Sequence, residues 1–64
     1  MILYYVRVQS SDRCDAYVIR GADGLPAWTW NKPVPLSLGE AEILRRDAAR
    51  ITGGTLKLEE SRND

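Results

Sequence analysis

The chain has 64 residues, of which 44% are hydrophobic and 28% charged, and this composition is typical of a folded globular domain. Nine Lys and Arg balance nine Asp and Glu, so no net charge is present either to attract a phosphate backbone or to imitate one. Histidine is absent, which removes the commonest general base and metal ligand, and a lone cysteine excludes an internal disulfide.

The cellular context follows from the same counts. A single Cys14 without a partner favours a reducing compartment, and we expect its side chain to be small, buried and inert. Residues 1–8 are too few, and too interrupted by Arg7, for a signal peptide or a membrane span. We therefore predict a cytoplasmic protein that is not an enzyme, with no catalytic residues, no metal, no cofactor and no membrane association.

The first two predicted strands form a hairpin. Residues 2–9 are rich in β-branched and aromatic side chains, and one face of this strand is apolar. That face consists of Ile2, Tyr4, Val6 and Val8. The other face begins apolar and ends polar, which places the strand at the centre of the sheet. A polar turn over residues 10–13 leads to a second strand over residues 14–20.

A glycine-containing turn over residues 21–24 precedes a short third strand, about residues 27–30. Residues 31–35 contain two prolines and are predicted to be a stiff connector outside the sheet. Ser37 and Glu40 have the spacing of a capping box, which starts a helix that runs from Leu38 to about Ile51. The stripe predicted to pack on the sheet consists of Ala41, Leu44, Ala48 and Ile51.

Glycines 53 and 54 end the helix, and residues 55–59 alternate as a fourth strand. The fold class is therefore α+β: a four-stranded sheet in βββαβ order, with one helix packed on one face. A right-handed crossover through the helix would return the fourth strand parallel to the third and beside the first, giving the order 4-1-2-3. Residues 1–59 make a single domain, and residues 60–64 are a polar tail expected to fray.

Two tryptophans are the strongest candidates for function. Trp28 and Trp30 stand two residues apart and would lie on the same side of a short strand. They are interpreted either as core residues beneath the helix, as hot spots of a protein interface, or as platforms for stacked bases.

Other residues extend these alternatives. Tyr5 and Tyr17 would extend an aromatic patch across neighbouring strands, which would suit stacked bases or a partner's side chains. The sheet face without the helix is left open unless a partner or a second copy covers it. The exposed helix face offers a basic ridge of Arg45, Arg46 and Arg50. A solvated helix face, in which acidic residues neutralise these arginines, is the competing interpretation of the ridge. Ile43 lies off the predicted stripe and is a second candidate contact residue, although a singly exposed apolar residue is ordinary.

The tryptophan strand, the helix start at Ser37 to Ala41 and the Gly53-Gly54 ending resemble small proteins of phages and mobile elements, and within that class anti-CRISPR proteins. The element order, with Ser37, Glu40 and Ala41 at the helix start, also resembles HicB-type antitoxin domains. The first resemblance implies a small inhibitor that occupies a surface of a host nucleoprotein complex.

Two functions from different classes are thus predicted. In the first, the protein is a non-enzymatic inhibitor or adaptor that binds a host protein or nucleoprotein complex through the aromatic and arginine residues named above. In the second, it binds single-stranded nucleic acid through the aromatic sheet face and the arginines, with an affinity that falls steeply with salt. Self-association as a homodimer is compatible with both.

Overall fold

The computed structural model describes residues 2–10, 14–52 and 54–61. It contains four strands and one helix: β1 (Leu3–Ser10), β2 (Tyr17–Arg20), β3 (Pro26–Thr29), α1 (Leu38–Thr52) and β4 (Thr55–Ser61). The strands form one sheet in the order β3-β2-β1-β4, so that β1 is central. The predicted α+β class, the βββαβ order of elements and the strand order are confirmed.

The predicted direction of the fourth strand is wrong. β4 runs antiparallel to β1, and so do β2 to β1 and β3 to β2, which makes the whole sheet antiparallel. β4 is therefore antiparallel to β3 and does not return parallel to it.

The connector between β3 and α1 explains this difference. β3 ends at Thr29, which lies beside Tyr17 and thus level with Arg7 of β1. Seven residues later Leu36 pairs with Tyr4, near the start of β1. The connector has already brought the chain back along the sheet before the helix begins. α1 then carries the chain toward the Ser10 end of β1, from which β4 must return antiparallel.

The core lies between α1 and one face of the sheet. Its buried residues come from β1, from β2 and the residue before it, and from the helix: Val6, Val8, Ala16, Val18, Ala41, Leu44 and Ala48. Three of the four residues of the predicted helix stripe are in this cluster, whereas Ile51 is 64% exposed. The buried alanines let the helix approach the sheet closely, so that few large side chains fill a core of this size.

The helix starts as the capping box predicts. The backbone N–H of Glu40 donates to Ser37 Oγ at 3.4 Å, and the Ser37 hydroxyl donates to Glu40 Oε1 at 3.2 Å. Leu36, immediately before the cap, packs against the core cluster. Of the predicted glycine ending, Gly53 lies outside the described residues.

Several predicted boundaries move. β2 starts at Tyr17 and not at Cys14, because Asp15 has a positive φ of 72° and takes up a turn with Cys14. The expectation that Cys14 is buried is wrong: its side chain is exposed, and Sγ donates to the Gln9 carbonyl at 3.3 Å. Residues 11–13 of the predicted polar turn lie outside the described residues.

At the C-terminal end, β4 continues to Ser61, two residues beyond the predicted end of the strand. The rest of the predicted frayed tail, residues 62–64, lies outside the described residues. The third strand is shifted by one position and covers Pro26–Thr29.

Candidate functional site

The connector opens the sheet at one end. Val6 pairs with Val18 and Arg7 with Tyr17, and the same register would place Arg20 beside Tyr4. Leu36 occupies that place instead: its N–H donates to the Tyr4 carbonyl at 2.8 Å, and its carbonyl accepts from the Tyr4 N–H at 2.7 Å. The end of β2 is thereby separated from β1.

A groove of about 450 Å³ lies at this separation. We call it the connector groove; it is lined by Ile19, Arg20, Pro33, Val34, Leu36, Glu40, Ile43 and Leu44. Most of these side chains are apolar, and they come from β2, the connector and the first two turns of α1. A cavity of this size falls in the range of small-molecule sites and of pockets that accept a partner's side chain.

Two exposed apolar side chains flank the groove. Val34 is 83% exposed and Ile43 is 53% exposed, although both belong to ordered segments next to the core. Ile43 lies off the helix stripe, as the sequence predicts. Because they border the same groove, these residues extend its apolar surface outward.

Charged groups hold the polar side of the groove in place. Arg20 Nη2 lies 3.4 Å from Asp47 Oδ2, and Arg20 Nη1 donates to the Gly24 carbonyl at 2.8 Å. Glu40 is held by its contact with Ser37. The groove therefore has apolar walls with charged groups along one side, and this combination of apolar and polar contact groups is usual in protein interfaces.

The sheet face opposite the helix is built differently. Tyr5 is only 6% exposed, and its ring meets that of Tyr17 edge to face, with 5.3 Å between centroids. The Lys32 ammonium from the connector lies 5.4 Å from the centre of the Tyr5 ring. The centre of the face that was expected to stay open is thus covered within the chain.

Arg7 crosses the same face. Its guanidinium lies 4.6 Å from the centre of the Tyr17 ring, donates to Glu59 Oε1 at 3.1 Å and donates to the Asp15 carbonyl at 2.7 Å. Burial lowers the pKa of Arg7, but the hydrogen bond and the attraction of Glu59, with smaller contributions from Tyr17 and Asp15, raise it above the ordinary value. The charge of Arg7 is therefore held in place among close partners.

The two tryptophans do not share a surface. Trp28 pairs with Val18, lies on the helix side of the sheet and packs against the core cluster. Trp30 follows the last residue of β3 and is 67% exposed.

The remaining candidate residues are also spread over the molecule. Tyr5 and Tyr17 lie on the sheet face opposite the helix, whereas Arg45, Arg46 and Arg50 are exposed on α1. The seven predicted contact residues thus form no single site, and their role in partner binding stays a prediction. The sequence gives Ile43 little weight as a contact residue, and Val34 was not considered as one. The available signal for Val34 is its position between two prolines, in a segment that cannot enter the sheet.

Among the residues that the structure describes, no group of three or more His, Cys, Asp and Glu side chains could hold a metal ion. Within the same residues, no helix is long and apolar enough to cross a membrane.

Comparison with known proteins gave no match: no family model, no curated protein and no solved structure resembles this chain significantly.

Proposed function

We propose that the protein is a non-enzymatic binding domain that uses the connector groove to hold an apolar side chain of a partner protein. The observation that carries the proposal is the groove itself, with exposed Val34 and Ile43 on its border. Exposed apolar side chains that form one patch around a concave apolar surface are a feature of protein interaction sites and of ligand-binding grooves.

A protein partner fits the chemistry of the exposed surfaces better than a nucleic acid does. A strand of bases needs accessible aromatic rings along a basic track. Here Tyr5 is buried and Tyr17 is covered by Arg7, whose charge is engaged by Glu59. The groove instead offers aliphatic walls, which suit a leucine, isoleucine or phenylalanine side chain.

The groove is also well supported. Leu36 is fixed by paired backbone hydrogen bonds to Tyr4, and Leu44 belongs to the buried core. A site whose walls are already ordered needs little rearrangement when the partner binds, so less free energy is spent on ordering it.

The test is affinity capture with matched variants. The tagged wild-type protein, Ile43→Gln and Trp30→Ser are each incubated with host-cell lysate, with and without nuclease, and retained proteins are identified by mass spectrometry. Glutamine keeps helix propensity at position 43 but removes the apolar border of the groove. Circular dichroism and thermal unfolding check that each variant is folded.

We expect a stoichiometric protein that the wild type and Trp30→Ser retain and Ile43→Gln loses. Its identity would also test the narrower proposal that the target is a host nucleoprotein complex. Loss with Trp30→Ser alone would place the contact at Trp30 and overturn the groove. Retention of nucleic acid only would favour the single-stranded nucleic-acid alternative.

A further inference from the structure

The outer edge of β4 is one end of the sheet. Tyr4 exchanges backbone hydrogen bonds with Leu36 on the side of β1 away from β4. Backbone groups alternate in direction along a strand, so Tyr5 turns its own toward β4, where it pairs with Glu59. The groups of β4 that point outward therefore belong to Leu56, Leu58 and Glu60, and no strand of the described chain pairs with them.

We propose that this edge binds a second copy of the chain, β4 against β4, antiparallel about a twofold axis at Leu58. In this register Leu58 lies opposite the partner's Leu58, and Leu56 lies opposite the partner's Glu60. These are the residues whose backbone groups point outward, so each pair exchanges both of its N–H to C=O hydrogen bonds. The two sheets become one continuous sheet.

Charge complementarity selects this register. Lys57 and Glu59 lie on the same face of β4, two positions apart. With the axis at Leu58, Lys57 faces the partner's Glu59, and symmetry repeats the contact. An axis at Lys57 would set two ammonium groups opposite each other, and an axis at Glu59 would set two carboxylates opposite each other, both of which are unfavourable.

The opposite edge of the sheet is less suited to pairing. β3 has four residues and begins with Pro26, which has no N–H to donate, whereas β4 has seven residues. Pairing at β4 would also bring Leu58, which is half-buried on the helix side, against its copy. The length of the edge strand, its backbone donors and the apolar contact therefore all favour pairing at β4.

Lys57→Glu tests the proposal with little risk to the fold. In the single chain Lys57 lies directly opposite Arg7, so a carboxylate at position 57 would face a guanidinium. In the dimer the same carboxylate would face the partner's Glu59. The matched control is Arg46→Glu, which makes the same change of charge at an exposed position on α1.

Sedimentation equilibrium over a range of concentrations should show a wild-type dimer. We expect Lys57→Glu to weaken self-association by more than about tenfold, and Arg46→Glu to behave as the wild type. A wild type that stays monomeric at millimolar concentration, or a Lys57→Glu dimer of unchanged affinity, would overturn the proposal.

Chemical cross-linking tests which residues face each other across the dimer. A carbodiimide joins a lysine amine directly to a carboxylate, and a mixture of isotopically light and heavy chains distinguishes links between chains from links within one chain. We expect a mixed-isotope link from Lys57 to the partner's Glu59. A cross-linked dimer that lacks this link would show that another surface pairs. None of these outcomes depends on the connector groove.

Discussion

The sheet face that carries the helix differs from the opposite face in the kind of contact that fills it. We call the opposite face the connector side, because Lys32 of the connector contacts it. On the helix side, small aliphatic residues such as Val6 and Ala48 are completely covered. On the connector side, Tyr5 and Tyr17 are joined by Arg7, Glu59 and Lys32 through directional contacts between rings and charges.

This difference indicates which contacts decide whether the domain folds and which contacts tolerate substitution. Burial of aliphatic area is non-directional and insensitive to salt, and it fails when volume is removed. Contacts between charges and rings depend on geometry, are screened by salt when partly exposed, and contribute less each. We therefore expect the helix side to decide whether the domain folds and the connector side to adjust how firmly the connector is held.

Removing volume on the helix side should have the largest effect. Leu44 is among the largest fully buried side chains, and Leu44→Ala should lower the free energy of unfolding by about 2–5 kcal/mol, since it leaves a cavity. Urea denaturation measures the loss. Ile43→Ala, one position away and half exposed, should change stability by less than about 0.5 kcal/mol. Similar losses in the two variants would show that the helix does not present the face described above.

Removing the central charge on the connector side should have an intermediate effect. Arg7→Met keeps an unbranched apolar side chain but loses the contacts with Glu59, Asp15 and the Tyr17 ring. We expect the free energy of unfolding to fall by only about 1–2 kcal/mol. The loss is limited because Glu59 is partly exposed, which weakens the ion pair, and because the Arg7 Nε is buried without a hydrogen-bond partner within the described residues.

Salt separates the two faces. Urea denaturation of the wild type and Arg7→Met, repeated in concentrated salt, should show a smaller difference than in dilute buffer, whereas the loss caused by Leu44→Ala should not change. An Arg7→Met loss that is independent of salt would mean that the arginine stabilises the sheet by packing its alkyl stem, as on the helix side.

Local patterns in the sequence were sufficient for the helix side. The capping box at Ser37 fixed where the helix begins, and spacings of three and four placed Ala41, Leu44 and Ala48 on the sheet. Ile51 fits the same spacing but is exposed near the end of the helix.

The direction of β4 could not be predicted because it depends on the connector. The handedness rule assumes that the helix itself carries the chain back along the sheet from the end of one strand to the start of the next. Here the connector carries the chain back before the helix begins. The connector ends where Leu36 pairs with Tyr4, and this contact between residues 32 positions apart has no local signal in the sequence. The connector groove depends on the same contact and was missed for the same reason.

The tryptophans show how a shift of one residue in the end of a strand changes the predicted site. Alternation along a strand would place Trp28 and Trp30 on one face. β3 ends at Thr29, so alternation stops before Trp30, which is exposed while Trp28 packs on the core. Boundaries are the least certain part of sequence reasoning, and all three interpretations of the pair assumed that the strand continued.

The contact between Lys32 and Tyr5 should have the smallest effect, and it tests whether the connector side holds the connector at all. Lys32→Gln removes the charge above the ring and should lower the free energy of unfolding by about 0.5 kcal/mol, whereas Lys32→Arg should keep most of it. Hydrogen exchange at the Leu36 amide, which donates to Tyr4, gives a local measurement of the same change. Faster exchange in Lys32→Gln alone would mean that the cation on Tyr5 helps to seat the connector. Unchanged exchange would mean that Leu36 and Tyr4 hold the connector, and with it the groove, without help from the opposite face.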